Sequence, residues 1–83
     1  MNSISRLPKV LDNTGFSRSA LYAAAANGTF TKPIKIGLRA AGWPDSEVDA
    51  INAARIAGKG DDEIRVLVLG LEAARKASAG GSK

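Results

Sequence analysis

Apolar residues along this chain recur at two different periods, and the changes of period mark its elements. Leu7, Val10 and Leu11 stand at i, i+3 and i+4, the spacing of one buried helix face. Pro8 sits in that helix's first turn, where its missing N–H costs nothing. A second helix is expected from about Ser17 or Arg18 to Ala26, packing through Ala20, Leu21 and Ala24, with Asn27-Gly28 as its stop. The period then shortens to two: Ile34 and Ile36 alternate with Lys35, predicting a strand with one buried face. Pro33 confines that strand to a sheet edge or to its own beginning. Gly37 to Gly42 reads as a loop and Gly42-Trp43 as the return, giving a short β-hairpin, or wing, with Trp43 as a core plug at its base.

The helical period resumes after Pro44-Asp45-Ser46-Glu47, with Val48 and Ile51 buried in a third helix that Gly58-Lys59-Gly60 ends. Asp61-Asp62-Glu63 opens a fourth helix reaching about Ala77, its acids complementing the helix dipole. Its apolar set, Ile64, Leu67, Val68 and Leu71 with Val66 and Leu69 beside them, is broad for so small a domain. Completion of the core and self-association through Ile64, Leu67, Val68 and Leu71 are equally compatible with that face. Met1 to Ser5 reads as a disordered lead and Ser78 to Lys83 as a disordered Gly/Ser-rich tail. The expected division is residues 1–60, a small domain mainly α with one β-hairpin, then an additional helix over 61–77 and a tail over 78–83.

Between the first two helices lies Asp12-Asn13-Thr14-Gly15-Phe16-Ser17-Arg18, a helix stop and a helix start a few residues apart. Gly15 supplies the permissive backbone that ends one helix. Ser17 caps the next by accepting from a free backbone N–H. Phe16 and Leu21 are placed as a hydrophobic staple, although Ala20 stands where a full capping box would put Glu or Gln. This is helix-turn-helix spacing, and with the wing it predicts a winged helix-turn-helix.

Charge changes the picture through its distribution. The net charge of the 83 residues is +4. Residues 1–44 carry Arg6, Lys9, Arg18, Lys32, Lys35 and Arg39 against Asp12 alone, a balance of +5, which leaves −1 for the remainder. The positive field coincides with the helix-turn-helix, which points to double-stranded DNA. No apolar run approaches the roughly 18 residues that span a bilayer, so a cytoplasmic protein without a membrane partner is expected. With no cysteine and no histidine, no phosphate-binding glycine loop and no spaced carboxylate pair, the chain is expected to be neither an enzyme nor a metal or cofactor binder.

At about 100° per residue, Arg18, Ser19, Tyr22 and Ala26 share the face of the second helix opposite its packing side. Arg18, at the N-terminal end where a recognition helix meets base edges, suits guanine, and a bidentate pair contributes roughly 1–3 kcal/mol of discrimination. Ser17, Ser19 and the Tyr22 hydroxyl suit phosphates, which set position rather than sequence. Alanines at 23–26 then end the reading surface. Lys32, Lys35 and Arg39 on the wing are needed for affinity, with Arg39 at the tip placed to reach an adjacent minor groove.

An ordered set of residues over about 6–57 resembles the AlpA family of phage and prophage regulators, winged-helix proteins related to the MerR-like excisionases. The set is Arg6-Leu7-Pro8 with Val10-Leu11, Thr14 to Ser19, Leu21-Tyr22, Asn27 to Phe30, Lys32 to Gly37, Arg39 with Gly42-Trp43, and Ser46 to Ala50. The resemblance implies DNA binding at a mobile element, as an excisionase (recombination directionality factor) that bends attachment-site DNA beside an integrase, or as a transcriptional regulator of integrase or prophage genes. By position it assigns Ser17, Arg18, Ser19 and Tyr22 to the recognition helix and Lys32, Lys35 and Arg39 to the wing. The alanine run and the added fourth helix depart from the family pattern, and keep a protein-interaction module using that helix as a third reading.

Overall fold

A computed structural model describes residues 3–38 and 40–81, with side chains through residue 75. Seven elements follow in order: β1 (Ile4–Arg6), α1 (Leu7–Thr14), α2 (Arg18–Asn27), β2 (Ile34–Lys35), β3 (Ala41–Pro44), α3 (Asp45–Ile56) and α4 (Asp61–Gly81).

Local chemistry accounts for the helix ends. Gly15 adopts φ 76° and returns its N–H to the Leu11 carbonyl at 2.8 Å, a left-handed C-terminal cap. The Thr14 hydroxyl donates to the Val10 carbonyl at 2.7 Å and accepts from the Phe16 N–H at 3.3 Å, bracing the turn. Ser17 then caps α2, its Oγ accepting from the Ala20 N–H at 3.1 Å. Gly28 ends α2 at φ 83°, where the N–H groups of Gly28 and Thr29 satisfy the carbonyls of Ala25 and Ala24. The predicted stop and start are therefore both present.

The sheet holds one strand more than the predicted hairpin. Its order is β1-β3-β2, antiparallel throughout, with Ser5 opposite Trp43 and Ile34 opposite Gly42. Ile4 to Arg6, expected as part of a disordered lead or just after it, forms the added edge strand. Its anchor is polar: the Ser5 hydroxyl donates to Asp45 Oδ1, and the Asp45 N–H donates to the Ser3 carbonyl at 2.6 Å. β2 is the other edge, as Pro33 requires, but it is only two residues long and Ile36 is 38% exposed rather than buried. The Ile36 N–H closes the wing on the Ala40 carbonyl at 3.0 Å.

The core gathers Val10, Leu21, Phe30, Trp43, Val48, Ile51, Ile64 and Val68. Trp43 is the plug that the sequence predicts: fully buried, with Nε1 donating to the Thr31 carbonyl at 2.8 Å. All four aromatic rings of the chain are linked in one row. Phe16 meets Phe30 at 6.2 Å, Phe30 meets Trp43 at 6.1 Å, and Trp43 meets Tyr22 at 6.2 Å between centroids. The Arg55 guanidinium covers the far end of the row, 5.2 Å from the Phe16 centroid.

α4 resolves the alternative left open by its apolar face. Ile64 and Val68 are buried in the same core as α1–α3, and Leu67 and Leu71 pack against it. These four residues complete the core in cis, Ile64 and Val68 fully buried and Leu67 and Leu71 in part. The helical backbone continues past Ala77 to Gly81, so the Gly/Ser-rich run from Ser78 to Gly81 is helix rather than tail.

Candidate nucleic-acid interface

α2 buries Leu21, Ala24 and Ala25 and exposes the other side. Ala20, expected on the packing side, is exposed, and Ala25 takes that place; Ala25 is one turn beyond Leu21 and so lies closer to the centre of the buried stripe. Arg18, Ser19, Ala23 and Ala26 are exposed. Tyr22 is 41% exposed, its ring resting against Trp43. Tyr22 therefore belongs to both the outer face and the aromatic row, which fixes its ring from behind. Ser17 is exposed and committed to its cap.

Two grooves flank this helix. The first, of about 340 Å³, is lined by Arg6, Leu7, Pro8, Arg18, Tyr22, Ala40 and Ala41. It joins the start of α2 to the junction of β1 and α1 and to the base of the wing. Arg6 is the residue that sequence reasoning left out of the site, because nothing local marks Ile4 to Arg6 as a strand. Its place is fixed by the sheet, where it pairs with Gly42.

The second groove, of about 250 Å³, lies where the C-terminal end of α2 meets α4, between Ala26, Asn27, Lys32, Arg65, Leu69 and Glu72. Lys32 belongs here, away from Arg18. Its backbone is held by α4 on both sides: the N–H donates to Glu72 Oε2 at 2.9 Å, and the carbonyl accepts from Arg75 Nη2 at 2.8 Å. Arg65 Nε caps the end of α2 through the Asn27 carbonyl at 3.1 Å. Lys35 is exposed on β2. Arg39, expected at the wing tip, lies outside the described residues.

The predicted residues thus fall into an α2 cluster of Arg18, Ser19 and Tyr22, Lys35 on the wing, and Lys32, expected on the wing, held instead in the groove between α2 and α4. What the arrangement offers is a rigidly capped helix, exposed along one side, with basic residues at both ends and a wing beside it.

Residues 3–56 match the family model of the prophage CP4-57 regulatory protein, AlpA. The chain belongs to the AlpA family. The match covers β1 through α3 and stops before α4, so in this AlpA-family chain the helix that closes the core lies beyond the matched region. An uncharacterized protein of Enterobacteria phage P4, ORF88, is 39% identical over 54 residues, covering 65% of this chain. The chain spans 61% of the length of that relative. No solved structure matches it. Among the described residues, no helix is long and apolar enough to cross a membrane.

Proposed function

We propose that this AlpA-family protein is a non-enzymatic, sequence-preferring binder of double-stranded DNA that serves a mobile genetic element as an excisionase, or recombination directionality factor. The observation that carries the proposal is the exposed side of α2, with Arg18 in its first turn and Ser19 and Tyr22 beside it. In the major groove, Arg18 would read a base edge while Ser19 and Tyr22 hold backbone oxygens. Beyond Tyr22 the exposed side of α2 offers Ala23, Ala26 and, at its very end, Asn27, none of which adds a charge. A single copy therefore has few contacts, and binding of several copies to adjacent repeats supplies the affinity. Such an array bends attachment-site DNA and favours an integrase complex competent for excision.

The test is an excision reaction in vitro with the element's integrase and its attachment sites. The expected result is excision that depends on this protein and is lost in Arg18→Ala. DNA binding without any effect on excision would sink the directionality role.

That outcome would favour a second reading, transcriptional control of integrase or prophage genes. The description of the matched family as a regulatory protein supports it. Altered transcription from the element's promoters, with excision unchanged, would establish it.

A further inference from the structure

Building on the DNA-binding reading, we infer that the groove between Arg6 and Arg18 is a phosphodiester site, in which Arg6 holds one backbone phosphate of the duplex. Three observations carry this. Arg6 and Arg18 line the same groove, and among the described residues no acidic side chain lines it with them. Neither guanidinium takes part in an ion pair or hydrogen bond among the described residues, whereas Arg55, Arg65 and Arg75 are all engaged. The Arg6 backbone is also fixed, being at once the last residue of β1, opposite Gly42, and the N-cap of α1.

The physical consequence follows from the chemistry. Two cations kept beside one cleft without a counter-charge make a local positive potential that only an external anion relieves. A guanidinium presents paired N–H donors that match phosphate oxygens. The Tyr22 ring and the small Ala40 and Ala41 side chains complete walls that leave room for a sugar-phosphate strand. Arg6 at this position would fix the register of α2 on the duplex and leave Arg18 free for the base edge.

The test is a salt titration by fluorescence anisotropy. It compares the wild type, Arg6→Gln and Arg6→Lys on the element's attachment-site duplex and on a scrambled duplex of equal length. Loss of one phosphate contact lowers the slope of log K against log salt by about 0.9. Affinity of Arg6→Gln should then fall about 3.5-fold less than wild type for a four-fold rise in salt. Arg6→Gln should weaken both duplexes equally, and Arg6→Lys should keep the wild-type slope. An Arg6→Gln slope equal to wild type, or weakening confined to one duplex, overturns the assignment while DNA binding stands. Should Arg6→Gln melt below wild type, Arg6→Lys decides, since loss of slope with the charge retained also overturns it. Wild type that binds neither duplex at low salt overturns the DNA-binding reading together with the site.

Discussion

Arg75 of α4 holds both carboxylate oxygens of Glu47 at the start of α3, through Nε at 2.7 Å and Nη2 at 2.5 Å. The Glu47 side chain is 5% exposed and that of Arg75 is 25% exposed. The same Nη2 reaches the Lys32 carbonyl, so one guanidinium ties α3, α4 and the entrance to the wing. Removing one partner of such a pair strands a buried charge. Arg75→Ala should cost about 3 kcal/mol, the low end for a buried pair because one side chain is partly wet. Replacing both residues together, as Glu47→Leu with Arg75→Leu, should cost less than Arg75→Ala alone. Urea denaturation of the two variants decides, and a double variant less stable than the single would contradict this account.

Two glycines should respond oppositely to alanine. A methyl group on Gly42 would stand 2.6 Å from Ile4 Cγ2 and 2.9 Å from the Ser5 carbonyl oxygen. The second contact is backbone and cannot rotate away, so Gly42→Ala forces β1 off β3 and should cost about 1–3 kcal/mol. Gly70 is exposed inside α4 with nothing within 4 Å of the added methyl. Gly70→Ala should stabilise by about 1 kcal/mol through helix propensity. Thermal melting reads both, with about 4–8 °C per kcal/mol in a domain of this size.

Thr31 is fully buried, and its Oγ1 has no hydrogen-bond partner among the described residues. Thr31→Val keeps the branched shape and removes the desolvated hydroxyl. The Thr31 carbonyl, which accepts from Trp43, is untouched. The substitution should stabilise by about 1 kcal/mol. A lower melting temperature would show that the hydroxyl has a partner in solution.

The helix-turn-helix was legible because its determinants are local. Gly15, Ser17 and Gly28 act on backbone groups within five residues of themselves, and helical periodicity separated Arg18, Ser19 and Tyr22 from Leu21 and Ala24. What escaped was non-local. Ile4 to Arg6 is a strand only because residues 42–44 accept it, and three residues carry no readable period. Arg6 was lost from the site with it. The apolar stripe of α4 was plain, but a stripe does not name its partner. Its partner is the core of α1–α3, and the contacts that fix it there, such as Glu47–Arg75 and Asn27–Arg65, join residues 28 and 38 apart. Lys32 was read as a wing residue because it precedes Ile34-Lys35-Ile36, and only the fold shows its backbone held by Glu72 and Arg75 of α4.

The alanine run offers a gain-of-function experiment. Ala23 is exposed beside Ser19 and Tyr22, while Ala25 is 7% exposed and faces the core. Lysine is nearly as good a helix former as alanine, so Ala23→Lys should fold with a cost of only a few tenths of a kcal/mol. If α2 lies against DNA, the new ammonium adds one phosphate contact. Affinity should then rise on any sequence, and the salt slope should steepen by about 0.9. Ala25→Lys should instead disrupt the core, since its charge has no buried partner. Anisotropy titrations of Ala23→Lys read whether this edge of α2, next to Ser19, meets the duplex. A slope unchanged from wild type would place the Ala23 edge of α2 away from the duplex.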